Sequence, residues 1–171
     1  MLAHMDLDGQ RLHWNGVRFK ATTGFKGFQH PTHQCTPEYG PIPEGVYKVF
    51  LWKKGLAKDD GNNRCNLAPT WGIQQNPRGE AAGKCEPFWA NWGQNRARME
   101  PADVKTQQAC KPSRGGFYLH DSTKGYSHGC IEVEGTFFHS LRHYAGATRQ
   151  SYLVLRVKYV SGRPTNGGTR A

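Results

Sequence analysis

Glycine and proline interrupt this chain so often that long helices have little room to form. There are 21 Gly and 10 Pro in 171 residues. Glycine favours turns because it adopts backbone conformations closed to other residues, and proline removes a hydrogen-bond donor. Short strands joined by turns suit such a sequence better than a helical bundle. The length allows one domain with a real core. With 5 Trp, 7 Tyr and 8 Phe, the chain has enough aromatic surface to pack, which excludes an intrinsically disordered chain. No apolar run approaches the ~18 residues needed to span a bilayer.

The pattern of short segments can be followed along the chain. Gln10 to Thr22 reads as a β-hairpin in which Leu12, Trp14, Val17 and Phe19 flank Asn15-Gly16, a strong tight-turn signal. Thr23 to Ile42 is a Gly-, Pro- and His-rich loop, and Val46 to Trp52 is an apolar strand entered through Pro43-Glu44-Gly45. Residues 53–115 show little periodicity and are expected to be a loop-rich insertion, stapled by disulfides and placed as a flap over the active site. Within it, Pro101 opens a short helix over Ala102–Ala109. Phe117 to His120 reads as a strand. Glu134 to Tyr144 reads as a helix with Phe137, Phe138, Leu141 and Tyr144 on one face. Ser151 to Val160 alternates as a strand, and residues 161–171 are expected to be a flexible tail. The sum is a single, mainly β domain, 1–171, with one or two helices. Residues 1–5 read as a cloning remnant.

The net charge of +10 and a pI near 9.6 suit an anionic partner, either nucleic acid or a carboxylate-rich wall polymer. The basic residues are scattered, so charge alone does not choose. The five cysteines are more informative. Cys35, Cys65, Cys85, Cys110 and Cys130 leave one thiol over if the rest form two disulfides in an oxidising compartment. Three pairings of the first four are open, with a preference for Cys65–Cys85 and Cys35–Cys110. The spacings do not match a structural zinc site. No basic segment followed by an apolar stretch and a cleavage site opens the chain, so either the sequence has been trimmed or the protein leaves its cell by a route that uses no signal peptide.

The stretch that carries chemistry runs from Gly116-Phe-Tyr-Leu-His120 to Ser127-His128-Gly129-Cys130-Ile131. A thiol is nucleophilic as thiolate, and a neighbouring imidazole can take its proton and hold the resulting ion pair. Gly129 lets the backbone turn so that N–H groups face a developing oxyanion. Taken singly, these residues have ordinary roles. A lone Cys is usually structural, His139 and His143 form a solvated helix face, and His30 and His33 carry no assignment. A zinc site of His120, His128 and Cys130 lacks a fourth ligand.

Taken together, His120 and Ser127-His128-Gly129-Cys130 resemble the signature of the YkuD-type L,D-transpeptidases. Upstream, Gly40-Pro-Ile-Pro-Glu-Gly45-Val-Tyr47 resembles the Pro-x-Gly-x-aromatic turn of the same superfamily. The form of both motifs and the small size are similar to the branch of peptidoglycan-targeting effectors delivered by type VI secretion. The resemblance implies a mixed β-sandwich-like sheet with a helix beside it, and an enzyme without cofactor or metal. It implies Cys130 as nucleophile on the bond between the L-centre of diaminopimelate and D-Ala, and His120 as general base, oriented by a backbone carbonyl near Asp121. His128, Gly129 and Cys130 would form the oxyanion site, and Ser127 would order the loop. Glu132 departs from the Arg common after the Cys-Ile pair, so substrate carboxylates must be met elsewhere, with Arg142, Lys124 and Tyr126 as candidates. The implied partners are peptidoglycan stem peptides, an immunity protein and a secretion-apparatus component, with no nucleic acid. The implied place of action is the periplasm of a target bacterium. Two rivals stand beside this reading: a Cys-His amidase or endopeptidase, and a basic, disulfide-stapled module that binds wall polymer or nucleic acid.

Overall fold

A computed structural model describes residues 2–52 and 55–171. Met1 of the expected remnant and Lys53 and Lys54 of the expected insertion lie outside the described residues. Among the described residues there are ten strands: β1 (Met5–Leu7), β2 (Arg11–Trp14), β3 (Val17–Thr23), β4 (Gly45–Phe50), β5 (Gly55–Leu56), β6 (Ile73–Gln75), β7 (Asn95–Pro101), β8 (Tyr118–His120), β9 (Ile131–Val133) and β10 (Tyr152–Val157). The helices are α1 (Glu86–Trp89), α2 (Val104–Gln107) and α3 (Thr136–Ala147). The strands run β4-β10-β1-β2-β3-β9-β8-β7, and β7 pairs back onto β4, so the sheet closes. Closure removes the exposed edges that an open sheet of this size would present. The result is the mainly β fold with few helices expected from the sequence.

The local reasons for these elements are readable. Asn15 and Gly16 both adopt positive φ, 50° and 75°, which matches the twist of the hairpin strands they join. Leu12, Trp14, Phe19 and Ala21 of that hairpin turn into the core. Phe137, Phe138 and Leu141 form the buried stripe of α3. Phe137 meets Trp14 and Phe19 edge-to-face, at centroid separations of 5.8 and 5.3 Å. Strand β10 lies between β1, parallel, and β4, antiparallel, and its Leu153-Val154-Leu155 run is buried throughout. A strand covered on both faces reads as continuous rather than alternating apolar sequence.

Three expectations are corrected. First, residues 53–115 are only partly an insertion. Strand β7 is a wall of the closed sheet: its Arg96–Arg98 stretch pairs with β8, while its other edge is shared by β6 and then β4. Arg96 and Arg98 alternate with Ala97 and Met99, and the periodicity is hidden because Arg96 is a buried cation rather than a surface one. The rest of the segment builds a second small core of Ala57, Leu67, Ala82, Cys85 and Trp89 around the Cys65–Cys85 disulfide. Second, the helix expected over residues 102–109 is a single turn, α2, capped by Asp103, whose Oδ1 accepts from the Thr106 N–H at 2.8 Å.

Third, the tail is packed. Thr165 and Thr169 are buried, Thr165 Oγ1 donates to Thr23 O at 2.6 Å, and Asn166 bridges to Thr22. Its small residues fit closely against β3: a Cβ on Gly167 would stand 2.0 Å from Gln10 O. Polar composition reads as disorder when a segment's hydrogen-bond partners are distant in sequence. Met5 is likewise part of the sheet, since it pairs with Leu155, and His4 is held beside it, its ring accepting from Val154 N–H.

The pairs preferred from sequence are the ones formed, Cys35–Cys110 and Cys65–Cys85, leaving Cys130 free. Closing loops of 75 and 20 residues stabilises the fold by about 4.5 and 3 kcal/mol on the chain-entropy model. The packed tail can be tested separately. Thr169 Oγ1 donates to the fully buried Glu132 at 2.5 Å. Thr169→Val leaves that carboxylate short of a donor and should lower unfolding stability by about 1–3 kcal/mol, measured by chemical denaturation. An unchanged midpoint would show that the tail contributes nothing to the fold.

Candidate active site

Strands β8 and β9 run parallel, with Leu119 opposite Ile131 and His120 opposite Glu132. Side chains on a strand alternate between faces, so His120 and Tyr118 share a face of β8. Glu132 and Cys130, just before β9, share the corresponding face. His120 and Cys130 therefore line one cleft of about 240 Å³, together with Lys124, Ser127 and His128. The opposite wall comes from Cys65, Asn66, Phe88, Asn91 and Trp92. The disulfide-stapled segment thus contributes to the lining of the site. The Trp92 ring meets His120 edge-on at 5.6 Å.

The loop carrying Cys130 is fixed from below. Ser127 Oγ accepts from Gly24 N–H at 3.1 Å and donates to Cys130 O. Thr23 Oγ1 accepts from Ile42 N–H at 3.0 Å and donates to Gly129 O at 3.4 Å, linking the Gly40–Tyr47 motif to the cysteine loop. Gly129 has φ of +98°, and a Cβ there would stand 2.5 Å from Arg114 Nη2. No other residue fits both constraints. Arg114, which sequence reasoning missed, donates to Gln34 O, Gly40 O and Pro41 O. Its local sequence gives no sign of this role, because its partners lie in a loop 70 to 80 residues away. In the upstream motif, Gly45 is required because a Cβ would strike Thr106 Oγ1 at 2.4 Å, and Tyr47 OH donates to Pro43 O at 2.7 Å. The motif is a buttress for the cysteine loop.

The remaining predicted residues divide clearly. Lys124 lies in the cleft, its Nζ 4.6 Å from the Tyr126 ring centroid. Tyr126 sits beside the cleft, packed on Phe25, and the exposed His128 also packs on Phe25. Arg142 is a correction: its guanidinium donates to Asn95 Oδ1, outside the cleft lining. Asp121 is another. Its Oδ1 accepts from the N–H groups of Gln94 and Asn95, and its Oδ2 accepts from Asn95 Nδ2. That leaves it tying β8 to the start of β7. The side chain at His120 Nδ1 is Ser122, whose Oγ lies 3.0 Å away, rather than a backbone carbonyl near Asp121. His139 and His143 line a separate depression between α3 and the hairpin. Among the described residues, no three His, Cys, Asp or Glu side chains are placed to hold a metal ion.

Burial sets the protonation states. It pushes the Cys130 thiol up, against the opposing pull of the Tyr118 N–H on Sγ (3.4 Å) and of the Arg96, Lys124 and Arg98 charges. Burial also holds His120 down to about 3, with the Lys124 and Arg96 charges acting in the same direction. The resting pair is therefore a neutral thiol and a neutral imidazole, in place of the ion pair envisaged from sequence. Proton transfer has to accompany attack. The N–H groups of Gly129 and Cys130 make no hydrogen bond within the described residues, so they are free to receive an oxyanion.

A depressed imidazole has a consequence for stability. Between the unfolded value near 6.5 and the folded value of about 3, the unfolded chain binds a proton that the folded chain refuses. Stability is then fully present above pH ~6.5 and falls on acidification at up to about 1.4 kcal/mol per pH unit. Denaturant midpoints measured from pH 7 to pH 4 should show this slope, and His120→Gln should flatten it. An equal slope in both proteins would place the source elsewhere.

The comparisons with known proteins accord with this geometry. No curated protein matches the chain. The sequence model of the L,D-transpeptidase catalytic domain (YkuD) matches residues 3–138, a span that includes both motifs, His120, Cys130 and every strand except β10. The chain belongs to the L,D-transpeptidase catalytic domain family.

Proposed function

We propose that this domain removes the terminal D-Ala from tetrapeptide stems of peptidoglycan, as an L,D-carboxypeptidase, and exchanges that residue when an amine intercepts the intermediate. The observation that carries the reading is the placement of the one free thiol among the described residues, Cys130, in the same cleft as His120. His120 takes the thiol proton as Sγ attacks the carbonyl of the diaminopimelate L-centre. The Gly129 and Cys130 N–H groups hold the oxyanion. The imidazolium then returns the proton to the departing D-Ala amine, leaving a thioester on Cys130. Water or another amine, deprotonated by His120, releases it. The cleft volume of about 240 Å³ is below the ~300 Å³ of common ligand pockets. It suits the end of one stem better than two stems meeting in a crosslink, which favours hydrolysis and exchange. Lys124 is the cation available in the cleft for a stem carboxylate, in place of Arg142.

The same proposal places the protein outside its producing cell, as an antibacterial effector of the type VI kind with an immunity partner, acting in the periplasm of a target. The form of the Gly40–Tyr47 and His120–Cys130 motifs supports this. So do the two disulfides, which are favoured in an oxidising compartment.

Mass spectrometry of peptidoglycan incubated with the protein should show tetrapeptide stems converted to tripeptides. Cys130→Ala and His120→Ala should each lose at least ~10²-fold in rate while remaining folded, and His128→Ala should be milder. Directed to the periplasm of a susceptible bacterium, the wild type should arrest growth and Cys130→Ala should not. Near-full activity of Cys130→Ala would overturn the nucleophile, and stems detached whole from the sugar would identify an amidase. No change in the polymer, with the fold intact, would favour the binding-module reading.

A further inference from the structure

Ser122 Oγ stands between two groups that compete for its single proton. It lies 3.0 Å from His120 Nδ1 and 2.5 Å from Glu132 Oε2. All three residues are buried, so water cannot relieve a mismatch. A carboxylate only accepts hydrogen bonds. Toward Glu132 the serine must therefore donate, and its oxygen is left to accept from His120. If Nδ1 were instead the acceptor, the Ser122 oxygen would face the carboxylate lone pairs at 2.5 Å with no hydrogen between them. An unmet contact of that kind is strongly disfavoured in a buried site, and more so when one partner is charged.

The carboxylate is itself held in place. Glu132 Oε1 accepts from Gly125 N–H at 2.7 Å and Thr169 Oγ1 at 2.5 Å, and Oε2 also accepts from Lys124 N–H at 3.1 Å. These donors come from the loop after β8 and from the C-terminal tail, so the group has no freedom to turn away. Asp121, the nearer acid in sequence, is fully occupied at the start of β7.

We propose that Glu132, acting through Ser122, fixes His120 in the tautomer with hydrogen on Nδ1, which leaves the Nε2 lone pair free to take the Cys130 proton. Glu132 and Ser122 are then positioning residues for the reaction, and the inference rests on the reading of Cys130 and His120 given above. The chain Glu132–Ser122–His120 does the work of an acid that orients a catalytic imidazole, with a hydroxyl inserted between the two. It also accounts for an acidic residue at 132. The carboxylate lies one hydroxyl away from the ring that becomes positive as the thiol is deprotonated. It opposes the destabilising field of Lys124 and Arg96 at that moment.

The test is the tautomer itself, read from long-range ¹H–¹⁵N correlations of the His120 ring in the disulfide-bonded protein near pH 7. Wild type should show the hydrogen on Nδ1. Ser122→Ala should move the ring to a mixture or to the Nε2–H form and lower kcat on the order of 10²-fold with KM little changed. Ser122→Thr, which keeps the hydroxyl, should restore both. An Nε2–H ring in wild type, or a tautomer unaltered in Ser122→Ala, would overturn the relay whatever the variants do to stability. The ring measurement does not depend on the reaction assigned. A correct tautomer in a protein whose Cys130→Ala variant stays active would uphold the orientation and sink the proposed function.

Discussion

Parallel pairing of β8 with β9 is the constraint on which the site depends. It brings His120 and Glu132 opposite each other and sets Cys130 on the same face, two residues away along the neighbouring strand. Parallel strands need a crossover between them, and here it is a compact loop, residues 121–130, held by its own polar groups. Glu132 gathers the backbone of Lys124 and Gly125, while Ser127 ties the far end to Gly24. A slip of one residue in this register would turn the cysteine or the histidine away from the cleft. The upstream motif and Arg114 stand against Gly129 of this loop and resist that slip.

Burial has two effects on the proposed nucleophile. It makes the site dry, so that hydrogen bonds to an oxyanion are strong, but it also keeps the thiol protonated and the imidazole uncharged. The structure offsets part of this with groups that favour the thiolate, although the same cations oppose a charged imidazole. The Tyr118 N–H faces Sγ, and Arg96 and Lys124 favour a thiolate. Arg96 is fully buried, its guanidinium 4.7 and 4.4 Å from the centroids of the Trp92 and Tyr118 rings, and anchored by Gln74 and Ala68. The disulfide-stapled segment thus supplies one wall of the cleft, and β7 beside it supplies part of the electrostatics.

Local signals in the sequence revealed the hairpin, α3, β8 and β10, because each has a period or a turn residue that acts within a few positions. They also brought out His120 and Cys130, whose residue types and spacing limit the chemistry. Strand β7 was hidden because its inward cation, Arg96, is satisfied by partners far along the chain. The tail was hidden for the same reason: Thr165 and Thr169 look solvent-loving until Thr23 and Glu132 are placed beside them. Arg142 reads as a charge for the substrate and Asp121 as marking the carbonyl that orients His120, yet both side chains close on Asn95. Side-chain direction at a strand end follows from pairing, which a linear pattern does not contain. Glu132 stood out only as a departure, and its role emerges from the four donors that surround it.

The central claim is that Cys130 forms a covalent acyl intermediate in a neutral, buried Cys-His site. Rapid acid quenching of the protein with a tetrapeptide stem, followed by intact-mass measurement and peptide mapping with both disulfides preserved, tests it directly. The account requires an adduct with the mass of the stem less D-Ala, carried as a thioester on Cys130 and absent once His120 is replaced. An adduct on another residue, Cys130 found in a disulfide, or product formed with no covalent intermediate at any quench time would contradict it.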